Sequence, residues 1–403
     1  MAKAALLSAI GVVAVVGLWL RTGGLPEGEG ETPVRPDAAP TGPQEAAGTV
    51  GGTPEASPPG WTLADDRAVL RGETMGTTFS VSLAGRHDLA DLGRYGDVAR
   101  DALESVNREM STYQPDSAIN RLSRAPAGPF ELSPNFAAVM RTARVVYEAS
   151  GGAFDPSVGP LVRAWGFGPD GEMEAPKDLE ALRARLGFDA LTVRGEGANL
   201  VVDKGRAEVE LDFSAIAKGF GADQACAALR SQGLEDYMVE VGGEVCVRGQ
   251  SPAKRPWRVG IERPSDTEVP GGGGVALAVN LGADGSRAIA TSGDYRNYYE
   301  RDGVRLSHTI DPRTGRPIAH TLASVSVLAD DAMTADAWAT ALSVLGPEEG
   351  LALATQQGLA VFMLVRVDGE GAAFEERMTP EFATLQPHAA PAAAPEGGSP
   401  PSP

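Results

Sequence analysis

Cysteine, histidine and positive charge are all scarce in this chain. Of 403 residues, 2 are cysteine and 4 are histidine, and 35 Lys+Arg face 54 Asp+Glu for a formal net charge of -19. Two cysteines exclude a disulfide framework, and no CxxC pair is present to hold zinc. Cys226, expected in a helix, and Cys246, expected in a strand, therefore read as buried small hydrophobes. The acidic balance argues against a nucleic-acid surface. It also means that a phosphate-bearing ligand would need helix N-termini, local Arg or Lys, or a metal ion to hold it. No internal repeat is visible.

Ala4 to Leu20 is an uncharged apolar run behind Lys3 and ahead of Arg21. Its length fits a short membrane span or a long signal-peptide core. No A-x-A site follows closely and no cysteine is available for lipidation, which favours an uncleaved anchor in residues 1–22 over a removed signal. The remainder is then expected to be exported, with Lys3 on the cytoplasmic side. Residues 23–60 are dominated by Pro, Gly, Thr and Glu and read as a disordered linker, a tether of roughly 35 Å reach. Residues 387–403 form a similar tail, leaving 61–386 as the folded part.

Within that part, helical spacing predicts an amphipathic helix over Asp88 to Met110 and another opened by Ser133-Pro134 and stopped at Gly151. Short strands are expected at Thr78 to Leu83 and around Leu191, Leu200 and Val209. A helix follows from Ser214 to Ser231, and the chain is mostly β from Tyr237 to Ser326. Two helices and a strand, Leu359 to Val367, finish it. The pattern is a mixed α/β fold.

The stretch DDAMTADAWATALSVLG, Asp330 to Gly346, reads as a strand exit running into a helix. Thr334 can cap it, Asp336 falls in the first turn, and Gly346 closes the other end. Asp336 and Thr340 are four apart, so a carboxylate and a hydroxyl share one face in a geometry that can hold a hard cation. A plain cap and a solvated face give the same pattern.

Other stretches also carry polar groups at element ends. VELDF feeds SAIAKGFGAD, with Asp212 at a strand end, Ser214 as a cap and Lys218 one turn into the helix. Gly219 and Gly221 each cost a helix about 1 kcal/mol relative to Ala, which suggests close approach of another group, either a ligand or a packed element. SHTIDPRTGRPI holds His308, Asp311 and Arg313 in two successive turns, where His308 is either a satisfied core histidine or a ligand or proton-transfer group. AFDPSVGPLVRAWGFG offers Asp155, Arg163, Trp165 and Phe167, a platform that suits a flat heterocycle or a core. ETMGTTFSV brings Met75 to a strand start, where its thioether can lie against a ring, and MSTYQPDSAINRL ends a helix in a loop bearing Tyr113 and Asp116. VEVGGEV places Gly242-Gly243 in a strand, signalling a bulge or close backbone approach.

Taken in order, MGTTFSV, MSTYQPDSAINRL, GGAFDPSVGPLV, ELDFSAIAKGFGAD, MVEVGGEV, SHTIDPRTGRP and MTADAWATALSVLG resemble the serial motifs of the ApbE family, the FAD:protein FMN transferases. The resemblance spans nearly all of 61–386. It implies an α/β fold with a T-fold-like core, a largely antiparallel sheet and packed helices. It also implies one FAD with Mg²⁺, and transfer of FMN to a Thr or Ser hydroxyl of an exported flavoprotein, with release of AMP. By motif, Asp336 and Thr340 resemble the side-chain metal ligands and Ala215 the backbone one. Met75, Tyr113, Gly152, Ala153, Phe154, Asp155, Asp212, Lys218, His308 and Ile310 resemble the FAD contacts. The incoming hydroxyl must lose a proton, assigned to His308 or to an acidic neighbour such as Asp311. The chain departs from many relatives in lacking a lipobox cysteine. Two other readings keep the same site: an FAD pyrophosphatase in which water is the nucleophile, and a non-enzymatic exported flavin carrier.

Overall fold

Nine strands form one antiparallel sheet whose spatial order is also their order along the chain. They are β1 (Trp61–Ala64), β2 (Arg67–Thr74), β3 (Thr77–Ala84), β4 (Tyr237–Val241), β5 (Glu244–Arg248), β6 (Ala288–Gly293), β7 (Leu322–Ala329), β8 (Ala360–Arg366) and β9 (Phe374–Met378). The computed structural model describes residues 58–167, 176–197, 199–264, 274–282, 287–293, 298–301, 304–367 and 373–386. The expected anchor, most of the linker and the tail lie outside the described residues.

The β3–β4 connection carries helices α1 (Leu89–Met110), α2 (Ala118–Arg124), α3 (Pro134–Ala149) and α4 (Ala217–Ser231), while α5 (Ala332–Gln356) joins β7 to β8. Helices cover one face of the sheet, and the pair Trp257–Glu262 and Val275–Leu281 with the short helix Pro380–Leu385 covers the other. Strand β8 shows why its sequence is apolar throughout. Val361, Met363 and Val365 join the helix-side core, while Ala360, Phe362 and Leu364 join the core beneath the other layer. The expected mixed α/β architecture is what forms.

Several local expectations are corrected. Residues 209–213, read as a strand, join no sheet, and the Asp212 N–H donates to the Pro156 carbonyl at 2.7 Å. Strands β1, β2 and β9 fall outside the expected elements, while β6 lies within the stretch expected only as mostly β. Gly242-Gly243 is a two-residue hairpin turn, φ 58° and 102°, between paired Val241 and Glu244, and not a bulge. Met75-Gly76 is the matching turn between β2 and β3, with Met75 itself left-handed at φ 49°. The helix over Asp330 to Gly346 does break at Gly346, φ 81°, but helical structure resumes at Pro347 and runs to Gln356.

Cys226 and Cys246 are joined in a disulfide, which overturns their reading as separate thiols. Nothing in their spacing announces the pair. It arises because α4 packs on the sheet and brings a helix-face residue over β5. The bridge closes a loop of 20 residues, and removing it as Cys226→Ala/Cys246→Ala is expected to lower unfolding stability by about 3 kcal/mol. Denaturant melts of the variant against the wild type in the absence of reductant check this.

A second constraint is Lys204, buried in the three-stranded sheet of Gly128–Glu131, Val201–Lys204 and Leu191–Arg194. Its Nζ donates to the carbonyls of Leu122, Ser123 and Ala125 at 2.8, 2.8 and 2.9 Å, satisfying the C-terminal end of α2. Lys204→Met leaves those carbonyls without their donor, and the variant is expected to lose about 2–4 kcal/mol in equilibrium unfolding.

Candidate active site

The polar centre of the molecule lies where the N-terminal ends of α4 and α5 cross. A Cβ on Gly219 would stand 2.2 Å from the Ala332 carbonyl oxygen and 2.8 Å from Asp336 Cβ, so the helices can touch only because this residue is glycine. The close approach read from the glycines in α4 is therefore real, and at Gly219 the group that approaches is α5. Gly219 is the third residue of α4, where an N–H lacks an intrahelical acceptor. That N–H donates to Asp336 Oδ2 at 3.0 Å.

Capping differs from expectation at both helices. Asp331, not Thr334, caps α5 and accepts from the Thr334 N–H at 2.7 Å. Asp336 accordingly sits in the second turn and is 2% exposed. Asp223 of α4 accepts from the N–H groups of Ala332 and Met333, each at 2.9 Å, so the first turn of α5 is held by a carboxylate from its neighbour. Burial pushes Asp223 up to about 7 against the pull of those two donors. Helix α4 begins after Ile216 with no side-chain cap, and Ser214 instead closes a turn on Asp212 Oδ1 through its N–H at 2.8 Å and its hydroxyl at 2.6 Å.

Lys218 is not in solvent. Its Nζ lies 3.4 Å from Glu244 Oε1 and 3.8 Å from Asp336 Oδ2, and donates to the Ser214 carbonyl at 3.3 Å. Burial alone would lower its pKa, but the Asp336 and Glu244 carboxylates outweigh that and raise it, so the ammonium persists. Burial raises Asp336 and drives Glu244 well above the usual carboxylate range, in each case opposed by Lys218. Thr340, one turn beyond Asp336, has its hydroxyl 3.3 Å from Ser292 Oγ of β6.

Asp336 and Thr340 are four apart on α5, and Lys218 ties Asp336 to the Ser214 carbonyl, the neighbour of Ala215. A carboxylate, an alcohol and a backbone carbonyl are hard oxygens that could hold an ion, and among the described residues no group of three or more His, Cys, Asp and Glu gathers. Such a set fits Mg²⁺, which keeps positions for water and phosphate oxygen, and does not fit zinc. Glu244 Oε2 is buried with no hydrogen-bond partner among the described residues, which marks the surroundings as electrostatically incomplete.

The other predicted residues fall in separate local groups. Met75 occupies the hairpin tip beside α4, and a Cβ on Gly221 would lie 2.8 Å from Met75 Cε. Asp212 connects through Pro156 to the loop of Gly152, Ala153, Phe154 and Asp155. Ala153 and Phe154 are core side chains, leaving only their backbone available to a ligand. Asp155 Oδ1 accepts from the Ser157 N–H and hydroxyl at 2.7 and 2.6 Å, and burial raises its pKa. Tyr113 is 65% exposed, and partial burial and then the nearby Asp212 carboxylate raise its phenol.

Ile310 packs with Leu161 and Trp165, and Trp165 Nε1 donates to the Gly315 carbonyl at 2.8 Å. His308 meets the edge of Phe167, ring centroids 6.4 Å apart. Asp311 is taken up by Arg313, accepting from its N–H, Nε and Nη2 at 2.9, 3.0 and 3.1 Å. Sequence reasoning missed Glu244, Ser292 and Asp223. Glu244 follows the flagged glycines directly and is within reach of the sequence, whereas Ser292 lies in a stretch that reads only as mostly β.

The ApbE family model matches residues 75–363. A protein named FAD:protein FMN transferase from Vibrio cholerae is 41% identical over 303 residues, 74% of this chain and 87% of that one. Its namesake from Escherichia coli K12 is 37% identical over 328 residues, 80% and 90% of the two chains. The solved structure titled flavin transferase ApbE from Vibrio cholerae superposes with a TM-score of 0.70 at 39% identity, covering 79% of this chain and 99% of that one. By its matched span and by these relatives, the chain belongs to the ApbE family.

Proposed function

We propose that this protein transfers FMN from FAD to a Thr or Ser hydroxyl of an exported flavoprotein, releasing AMP, in a Mg²⁺-dependent reaction. The names of its relatives support the donor and the protein acceptor. The single observation that carries the metal is Asp336, a buried carboxylate with one oxygen fixed by Gly219 and Thr340 one turn away. Asp336, Thr340 and the Ala215 carbonyl would hold the ion, whose role when bound is to polarise the phosphoryl group and screen the adjoining phosphates.

The acceptor oxygen attacks the phosphorus of the FMN half, the bond to the AMP oxygen breaks, and the hydroxyl proton must be removed. That proton would pass to His308 or to Asp311, whose oxygens also accept from Arg313. Asp212, Asp155, Met75, Tyr113, Lys218, Ile310 and the Gly152–Phe154 backbone would position the dinucleotide.

The apolar run in residues 1–22 supports membrane anchoring with the catalytic domain outside the cytoplasm. The Cys226–Cys246 disulfide supports the same placement, since such bonds persist in oxidising compartments.

Incubation with FAD, Mg²⁺ and a candidate acceptor, read by intact mass, is expected to add one FMN to the acceptor, and EDTA to abolish the gain. Free FMN and AMP without a mass gain would instead establish a pyrophosphatase, and FAD binding without turnover a carrier. Asp336→Ala is expected to lower turnover by about 100-fold or more while FAD affinity changes far less. His308→Ala should reduce transfer by about 100-fold or more in the same intact-mass assay.

A further inference from the structure

We infer that Glu244 is a positioning residue, which holds the Lys218 ammonium to one side so that Asp336 can engage a divalent cation; this rests on the metal reading given above. Lys218 is the cation that serves Asp336 in this structure, at 3.8 Å, but its Nζ is nearer to Glu244, at 3.4 Å. Both carboxylates are 3% exposed at the side chain, so water does little to screen the three charges. An ammonium and a dication compete for the same carboxylate oxygens and repel each other. Lys218 can give up Asp336 and remain buried only if another carboxylate keeps it.

Glu244 is placed for that purpose. It is the first residue of β5, directly after the Gly242-Gly243 turn, and the lysine stem runs against that turn. A Cβ on Gly242 would lie 3.1 Å from Lys218 Cδ. Its second oxygen, Oε2, has no hydrogen-bond partner among the described residues, so a lone pair is left for the ammonium once Asp336 is surrendered. The Ser214 carbonyl, 3.3 Å from Nζ, gives the ammonium a further acceptor on the same turn as Ala215. Without Glu244, the nearest carboxylate left to Lys218 is Asp336 itself. The lysine would then close on the proposed metal ligand.

The test is Mn²⁺ binding to the full chain in the absence of FAD, followed by calorimetry or by electron paramagnetic resonance, with thermal unfolding recorded for every variant. Glu244→Gln is expected to weaken Mn²⁺ binding by about ten-fold, since a close charge partner of the lysine is lost. Glu244→Asp keeps the charge but withdraws the carboxylate, and is expected to weaken binding in the same direction. Lys218→Met removes the competitor and should tighten binding several-fold, and the double variant Lys218→Met/Glu244→Gln should return to within a few-fold of wild type. Wild-type affinity in Glu244→Gln or Glu244→Asp, or unchanged or weaker binding in Lys218→Met, overturns the inference. If Glu244→Gln fails to fold, the Lys218→Met result decides. A wild-type chain that binds no Mn²⁺, or an Asp336→Ala variant that still binds it, overturns the metal reading itself and this inference with it.

Discussion

A Cβ at position 219 would lie 2.2 Å from the carbonyl oxygen of Ala332, and the whole polar centre depends on that carbon being absent. Because α4 and α5 meet there backbone to backbone, a carboxylate on α5 reaches an N–H in the first turn of α4. The helix dipole favours negative charge at that end, which partly offsets taking Asp336 out of water. The same crossing puts Asp223 under the first turn of α5, so each helix supplies the other with a carboxylate where its own N–H groups lack acceptors. Small residues at the crossing, Gly219, Ala222, Ala332 and Ala335, are all buried and leave room for this exchange.

The charge of the protein makes this arrangement necessary. With 54 acidic residues against 35 basic ones, the general field repels a pyrophosphate. Favourable potential must be created locally, and around Asp336 it comes from one buried ammonium and a helix N-terminus. Two acidic side chains share one ammonium there, an arrangement that would suit a small dication more than a bare phosphate. The acidic composition and the oxygen donor set are therefore consistent with each other: the phosphates would be met by a metal, and the metal by the protein.

What could be read in the sequence follows from how local each signal is. The i, i+4 spacing of Asp336 and Thr340 is a property of one helix and survives folding unchanged. So does the Ser133 cap of α3, where the Phe136 N–H donates to the hydroxyl as the Ser-Pro pair predicts, whereas Ser214 turns on Asp212 and leaves α4 without a side-chain cap. The glycines of α4 announced a close approach, but sequence could not say that its partner was Ala332, more than a hundred residues away. Capping of α5 was misread for a similar reason, because Thr334 and Asp331 are both competent and only the backbone geometry chooses Asp331. The disulfide was invisible because two cysteines carry no pattern, and residues 209–213 look like a strand although their backbone serves the Pro156 loop and not a sheet.

Helix α4 is held at three levels along its length, and this bears on how accurately Lys218 can be placed. Near its start Gly219 meets α5; in its second turn Asp223 binds the α5 N-terminus; and in its third, Cys226 is bonded to Cys246 while the Tyr237 hydroxyl donates to the Cys226 carbonyl at 2.8 Å. The partners of these contacts lie on α5, β4 and β5, so the helix cannot slide along one of them without straining the others. Lys218 has a long, flexible side chain whose placement would ordinarily cost entropy. Here its stem runs beside the β4–β5 turn, and its tip faces a carboxylate two residues before the disulfide on that same strand. The disulfide and the Lys218–Glu244 pair thus span the same two elements, and the covalent tie fixes the distance over which the ion pair must act.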